Sequence, residues 1–282
     1  MEKRFVFLVI LYCLVVDSMA QLRYPVVGRY KDSAAQGMAI WGDYAYIMNH
    51  GGRCRVYNLR KSKVERDFLL ASADSNNHVN NACFGKEVIK GNNKPVIYIS
   101  ECHGRFRCFV ENLNASGSQL VQTIELRKSN GKPKGVLDWI VDVQEGFVYT
   151  IWRDASDLKE KGIARNTISK YRLPRLSEGN KVVINIKDSL ESFDAIFPNV
   201  IQGAKIRNGF MYIATGYQET ASARKDAKRA VQVIDLRKKQ LFKTIPLTYI
   251  TMNEPEDIDF YKGKCLLFCG QNGGIYEVPI EE

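Results

Sequence analysis

The segment Glu254-Pro255-Glu256-Asp257 places three carboxylate side chains within four residues. Carboxylate and amide oxygens are the ligands that Ca²⁺ prefers, and a bound Ca²⁺ can act as a Lewis acid in hydrolysis or lactone opening. The competing interpretation is a turn before a strand, whose carboxylates accept bonds from backbone amides or pair with arginines. No cofactor is certain, and Ca²⁺ is the candidate. Its candidate ligands are Asn80, Asp138, Glu254 and Glu256.

The chain contains three histidines, His50, His78 and His103. An imidazole can serve as a general base near neutral pH, and with Tyr or Arg it would suit a lyase that acts on uronates. Structural or solvent-exposed imidazoles are the competing interpretation. The sequence has no G-x-S-x-G, P-loop or H-E-x-x-H motif, so the question of enzyme activity stays open. The candidate catalytic residues are His78, Asp138 and Glu256.

Lysine and arginine outnumber aspartate and glutamate by 41 to 31, which gives a formal net charge of +10 at pH 7. This excess favours an anionic partner, although a modest positive charge also serves solubility. Basic and aromatic residues are not interleaved as in nucleic-acid-binding modules, so nucleic acid is disfavoured. An acidic polysaccharide or another envelope polymer is the preferred partner class.

These side chains lie on elements that repeat along the chain. Short β-branched and aromatic runs, separated by Gly, Asn and Asp, follow five related openings. The pattern predicts an all-β fold, a single β-propeller over residues 21–282, with five blades. Six blades are the alternative, if residues 176–202 hide a degenerate one. An N-terminal strand at residues 24–30 should close the ring, because closure removes exposed sheet edges. The fourth strands of blades one to four are predicted at residues 63–70, 119–126, 181–186 and 240–247.

Antiparallel strands place the starts of the innermost strands and the loops between second and third strands at one end, here called the loop face. We assign the starts to Gln36, Asn80, Trp139, Gln202 and Glu256. The loops at residues 49–53, 101–107, 152–167, 217–230 and 270–273 contain eleven Lys or Arg and six Asp or Glu. The pattern predicts a polar mouth with a basic rim, although solvated loops are the plainer interpretation. The candidate ligand-binding residues are Gln36, Asn80, Gln202, Arg105, Arg107, Trp152, Arg224 and Arg229.

Residues 1–20 are typical of a signal peptide, with basic Lys3 and Arg4, an apolar run at residues 5–16 and small residues before Gln21. The apolar run is too short for a membrane span. The segment predicts export to the periplasm or the cell exterior, where disulfides can form. Cys102 and Cys108 flank a hairpin loop and are the best candidate pair.

Two phrases carry a resemblance to a known family. Glu254-Pro-Glu-Asp-Ile with the later Leu-Leu-Phe-Cys-Gly, and the Gln-Gly-x-x-Ile openings at Gln36 and Gln202, resemble the secreted β-propellers grouped with helveticin J and teichoic-acid-biosynthesis-C-type proteins. That family has Gly where this chain has Asp257. The resemblance implies a propeller at the cell envelope and carries no catalytic residue over.

Three functions follow as hypotheses. The first is an exported, non-catalytic propeller that binds an acidic glycan or envelope polymer on its basic loop face. The second is a Ca²⁺-assisted hydrolase or lactonase, or a polysaccharide lyase, that uses the carboxylate, amide and His groups at the mouth. The third is a protein–protein scaffold of an envelope complex.

Overall fold

The computed structural model describes residues 21–24, 35–102, 105–153, 163–198, 200–216, 229–247, 253–270 and 274–280. Within these residues the chain forms twenty-one β-strands and two short 3₁₀ turns, Leu176–Glu178 and Ile186–Asp188. No helix in this part of the chain has the length and apolar character needed to cross a membrane.

The strands form five sheets, which are the blades of a propeller. The chain begins with β1 (Gln21–Tyr24). Blade one contains β2 (Ala35–Trp41), β3 (Tyr44–Asn49), β4 (Arg53–Asn58) and β5 (Lys63–Leu69). Blade two contains β6 (Val79–Phe84), β7 (Ile97–Glu101), β8 (Cys108–Leu113) and β9 (Ser118–Arg127). The next strands along the chain are β10 (Asp138–Asp142), β11 (Phe147–Arg153), β12 (Ile163–Arg172), β13 (Lys181–Asn185) and β14 (Glu191–Pro198). Of these, β10, β11, β12 and β14 form blade three.

Blade four contains β15 (Ile201–Arg207), β16 (Phe210–Thr215), β17 (Ala230–Asp235) and β18 (Gln240–Pro246). Blade five contains β19 (Pro255–Tyr261), β20 (Lys264–Cys269) and β21 (Ile275–Val278). The innermost strands β2, β6, β10, β15 and β19 contact one another in that cyclic order. Strand β1 pairs antiparallel with β21, with Gln21 opposite Glu277. The five-bladed propeller closed by an N-terminal strand is therefore confirmed, and the six-blade alternative is wrong. The closing strand is Gln21–Tyr24 rather than residues 24–30, of which residues 25–30 lie outside the described part of the chain.

The prediction for the fourth strand of blade three is also wrong. The outer strand of this blade is β14, which pairs with β12. Strand β13, at the predicted position, pairs in parallel with β9 and becomes a fifth strand of blade two. Ile184 is buried in the core between blades two and three, whereas Phe197 is buried between blades three and four. Each segment contains a run of three apolar residues, Val182-Val183-Ile184 and Ala195-Ile196-Phe197, so the pattern alone did not distinguish which blade each one completes.

The hydrophobic core consists of five clusters, one between each pair of neighbouring blades. Between blades five and one, for example, Met38 and Ile47 pack with Phe268. Each blade thus buries apolar side chains against both neighbours. The ring holds the ends of its strands in fixed relative positions, as a rigid scaffold for loops requires.

The end opposite the loop face, here called the turn face, includes several very short connections. Blades four and five join their first two strands through the two-residue turns Asn208-Gly209 and Lys262-Gly263. All four residues have positive φ values, from 49° to 83°, as such tight hairpin turns require. Glycine at the second position carries the larger positive φ at no steric cost.

The candidate disulfide between Cys102 and Cys108 is not formed, and both are buried free thiols. Across the hairpin, Cys108 pairs with Ser100, and Cys102 lies beyond the end of β7. The two residues therefore do not face each other across the strands. Burial raises the pKa of both thiols above the ordinary value, which leaves them in the unreactive protonated form.

Candidate functional site

The innermost strands all begin at the loop face, and each contributes a polar side chain to the mouth of the propeller. Strand β10 begins at Asp138, one residue before the predicted start at Trp139. The five side chains at the mouth, each less than a tenth exposed, are Gln36, Asn80, Asp138, Gln202 and Glu256. The site therefore consists of amides and carboxyl groups contributed by all five blades.

The two carboxyl groups at the mouth lack hydrogen-bond partners of good geometry. Both oxygens of Glu256 and both of Asp138 are buried and accept no well-formed hydrogen bond from the residues that the structure describes, although Asn80 and Ser100 lie beside Asp138. Burial, together with the nearby charges of Glu254 and Asp257, raises the pKa of Glu256 well above its ordinary value. Burial and the charge of Asp257 do the same for the pKa of Asp138. Carboxyl groups in such surroundings stay protonated at pH values where an exposed acid is ionised.

Glu256 also lies against the main chain. A Cβ atom at Gly270 would lie 2.2 Å from Oε1 of Glu256 and 2.8 Å from the carbonyl oxygen of Ala35. Any larger residue at position 270 would collide with both oxygens. The close approach of β20 to the mouth thus depends on glycine.

Asp257 lies one residue further along β19 and bonds to the backbone of three blades. Its carboxylate accepts hydrogen bonds from the backbone N–H groups of Met38 at 2.6 Å, Ala82 at 3.2 Å and Ile258 at 2.7 Å. Gly203 approaches it so closely that a Cβ atom there would lie 2.1 Å from Oδ1. Asp257 therefore links the innermost strands of blades five, one and two at the axis.

A buried ion pair lies further along the axis. The Nζ of Lys205 lies 3.1 Å from Oδ2 of Asp259 and donates to the carbonyl of Ala82 at 2.8 Å. Burial opposes its charge, but the carboxylates of Asp259 and Asp257 outweigh that effect and raise the pKa of Lys205. Lys205 therefore carries a positive charge where the innermost strands β2, β6, β15 and β19 approach one another. The centre of the propeller is thus closed by charged side chains below the mouth.

The rim next to blades two and three carries a different arrangement, here called the rim cluster, formed by Arg107, Glu125, Arg127 and Lys181. Three cations surround Glu125, with Arg107 Nε at 3.1 Å, Arg127 Nη2 at 2.8 Å and Lys181 Nζ at 3.4 Å from its oxygens. Two open cavities of about 370 Å³ each share Arg107, Glu125 and Lys181 in their walls. One carboxylate cannot neutralise three cations, so positive charge remains in excess at an open surface.

A loop connects the rim cluster to the mouth. Glu101 is buried and accepts hydrogen bonds from Arg105 Nε at 3.2 Å and from the backbone of Arg107 at 3.3 Å. Phe106 has a φ of 55°, a left-handed conformation that is unusual for a bulky residue. Its carbonyl accepts a bond from Trp139 Nε1 at 3.4 Å. The loop conformation that presents Arg107 is therefore fixed by groups at the mouth.

The other residues predicted for ligand binding have varied positions. Arg105 forms ion pairs with Glu101 and, at 3.5 Å, with Asp74, so its charge is largely compensated. Lys134 lies 3.4 Å from the ring centroid of Trp152 and covers one of its faces. Arg229 is 5% exposed and is not presented on the rim as predicted. Arg224 lies outside the described residues.

His78, the predicted general base, stacks on a second histidine. The rings of His50 and His78 are nearly parallel, with centroids 6.2 Å apart and an interplanar angle of 12°. Their carbonyls accept bonds from the backbone of Val79 and Cys102. The histidines thus belong to the junction of blades one and two at the loop face. His103 lies outside the described residues.

The calcium prediction gains no support from the geometry. Among the described residues, no three His, Cys, Asp or Glu side chains are grouped so that they could hold a metal ion. Glu254 instead accepts a hydrogen bond from Nε2 of Gln202 at 2.8 Å. The site formed by Asn80, Asp138, Glu254 and Glu256 therefore stays a prediction.

The sequence interpretation missed the residues that complete the rim cluster and the axis. Arg127 ends a fourth strand, and fourth strands end at the loop face, which was an available signal. Lys181 joins it only through the parallel pairing of β13 with β9, which no local pattern indicates. Lys205, between Ala204 and Ile206 on an innermost strand, was a second signal, since unpaired lysines are rarely buried.

The protein is thus a five-bladed β-propeller whose mouth is lined by acids and amides and whose rim carries a basic cluster. No protein-family model and no curated protein matches the chain, so the resemblance to the helveticin J family is not confirmed. Among solved structures, the chain is similar to a glutaminyl cyclase from Myxococcus xanthus, with 12% sequence identity and a TM-score of 0.56. The similarity covers 92% of this chain and 94% of that chain. At this identity it supports the propeller fold alone.

Proposed function

We propose that this protein is a non-catalytic β-propeller that binds an acidic glycan or a similar envelope polymer at the rim cluster. The observation that carries the proposal is the excess of cations around Glu125. Arg107, Arg127 and Lys181 converge on this one carboxylate beside open cavities, with Phe106 and Pro133 in the wall. A polymer carboxylate or sulfate would take up the charge that Glu125 leaves uncompensated.

The sequence predicted polymer binding on the whole basic loop face, whereas this proposal places the binding site at the rim cluster alone. Arg105 is held by Glu101 of its own loop and by Asp74, and Arg229 is buried, so neither arginine is assigned a direct contact. Export, on which access to an envelope polymer depends, is part of the proposal and rests on residues 1–20. The resemblance to helveticin J propellers is consistent with this setting.

The test compares binding of polygalacturonate and of neutral dextran by isothermal titration calorimetry. The wild type should bind the acidic polymer, with an affinity that falls as salt rises. The double variant R107Q/K181Q should weaken binding by about tenfold or more, because each lost cation removes a charge-assisted contact. The matched control K187Q removes an exposed lysine outside the cavities and should bind as the wild type does. Unchanged affinity in the double variant would refute the assignment.

A second candidate function is acid-assisted catalysis at the mouth. It is favoured by the protonated carboxyl groups of Glu256 and Asp138, whose oxygens lack partners in the described residues. A group of this kind can donate a proton to a leaving group. The similar propeller from Myxococcus xanthus is named a glutaminyl cyclase, so a peptide with N-terminal glutamine is the first substrate class to assay.

The catalytic candidate predicts ammonia release from such a peptide, with loss of activity in E256Q and D138N. Lactones and uronate polymers, with and without Ca²⁺, test the hydrolase, lactonase and lyase hypotheses in the same format. Turnover at the level of the buffer blank with all of these substrates would leave the mouth as a structural closure. The scaffold hypothesis stays a prediction, since no specific contact surface favours it.

A further inference from the structure

The turn face carries a groove between blades one and two that is unrelated to the rim cluster. It has a volume of about 550 Å³ and opens to solvent. Trp41 and Tyr44 border the first turn of blade one, Lys61 lies in the turn after β4, and Lys94 lies in the long turn of blade two. The groove thus combines aromatic rings and cations from two blades.

The aromatic rings of this groove are unusually open. Trp41 is 41% exposed and Tyr44 is 37% exposed, whereas twelve aromatic side chains of the described residues are buried. Trp41 packs on one side against Phe84, with ring centroids 5.7 Å apart. Apolar area is thereby left in contact with water at a concave surface, which is typical of a site for a flat or ring-shaped ligand.

The charges of the groove leave an excess of cations. The charges of the acids in its wall are compensated by lysines that do not line the groove, since Asp43 pairs with Lys262 and Glu65 with Lys63. In the described part of the chain neither acid forms a salt bridge with Lys61 or Lys94.

The third cation, Arg66, is held by neutral groups. It donates to the carbonyls of Asn114 at 2.7 Å and of Ala115, and these partners leave its charge uncompensated. Partial burial and the charge of Arg66 lower the pKa of Lys94, as expected for cations crowded without an anion.

We propose that this groove binds an acidic sugar residue, with the sugar ring on Trp41 and Tyr44 and its carboxylate or sulfate on Lys61 and Lys94. Aromatic faces suit the apolar C–H surface of a pyranose ring, and Asp43 and Glu65 offer acceptors for its hydroxyl groups. Glycan ligands require both kinds of contact, which a simple anion site would lack. The site lies at the opposite end of the propeller from the rim cluster and does not depend on the proposed function.

The experiment titrates trigalacturonate into the full chain and follows tryptophan fluorescence, because Trp41 lies in the groove and not in the rim cluster. Binding should change the emission of Trp41, because Trp139 is buried and Trp152 is covered by Lys134. K94E should weaken binding by about tenfold or more, and W41A should abolish the fluorescence change. K187Q, at an exposed lysine outside both the groove and the rim cluster, is the matched control and should leave the fluorescence change as in the wild type.

Each outcome decides the proposal. A sulfated disaccharide in a second arm distinguishes sulfate from carboxylate as the preferred anion. If K94E, at a half-buried lysine in the turn between β6 and β7, binds trigalacturonate as the wild type does, the groove is not the site. Equal binding of neutral maltotriose would overturn the acidic preference, and absence of any binding at about 10 mM would overturn the site itself.

Discussion

The mouth and the rim cluster lie on the same face but differ in their balance of acidic and basic side chains. At the mouth, Glu256 and Asp138 are buried acids with no cation bonded to their oxygens among the described residues. At the rim, three cations share the single carboxylate of Glu125. Burial raises the pKa of the mouth acids, whereas the pKa of Glu125 is lowered, since Arg127 and Lys181 outweigh its partial burial.

The different surroundings of the two regions determine what their ionisable groups can do. A buried acid with a raised pKa is neutral, so it attracts no counter-ion and serves as a proton donor or a structural closure. An open cluster with cations in excess keeps its charge at every physiological pH and attracts anions from solution. The comparison therefore separates a proton-transfer role at the centre from an anion-binding role at the rim.

The largest expected effect comes from the buried pair at the axis. The substitution K205M should lower the free energy of unfolding by about 3–5 kcal/mol, because it leaves Asp259 buried without its partner. Urea denaturation at pH 7 measures the loss. K187M, at an exposed lysine, should change stability by less than about 0.5 kcal/mol. Equal stability of the two variants would mean that Lys205 does not compensate the acids.

The next effect is a pH dependence at the mouth. The folded-state pKa of Glu256 lies above its unfolded value, so the folded protein binds more protons between the two values. Stability from this group is fully present below the unfolded pKa and is lost as pH rises toward the folded pKa, at about 1.4 kcal/mol per pH unit. E256Q should flatten this decline, as measured by urea denaturation from pH 4 upward.

E145Q, at an exposed carboxyl, is the control for that series and should leave the decline unchanged. If E256Q follows the wild-type curve across the whole range, Glu256 is ionised in the folded protein. The mouth would then resemble the rim in carrying charge, and the contrast between the two regions would fail.

The pattern of the sequence predicted the mouth better than the rim. Regular alternation along each blade located the starts of the innermost strands at one end, because register follows from which face is buried. The rim cluster depends on β13 pairing with β9 instead of joining blade three. That pairing is stabilised by packing of Ile184 in the core between blades two and three, a contact between segments far apart in the sequence. The raised pKa values of Glu256 and Asp138 likewise result from burial, which cannot be read from the sequence pattern.

A smaller effect should appear at the rim itself. E125Q removes the one acid of the cluster, so polygalacturonate should bind several-fold more tightly and with a steeper dependence on salt. Calorimetry at two salt concentrations measures both quantities. The same type of change at the mouth, E256Q, should leave polymer binding unchanged. Weaker binding in E125Q would mean that Glu125 positions the cations rather than competing with the ligand.

The smallest effect on stability is expected at a solvent-exposed ion pair, which provides a reference for the buried pair of Lys205 and Asp259. Arg172 and Glu178 form two parallel contacts at 2.7 and 2.8 Å, yet both side chains are largely in water. The pair lowers the pKa of Glu178 to about 2, so its contribution is present above the unfolded pKa and is lost as pH falls toward 2. R172M should cost less than about 1 kcal/mol, and less still in high salt, because exposed pairs are screened. A loss comparable to that of K205M would show that the number of contacts, rather than burial, sets the strength of ion pairs in this propeller.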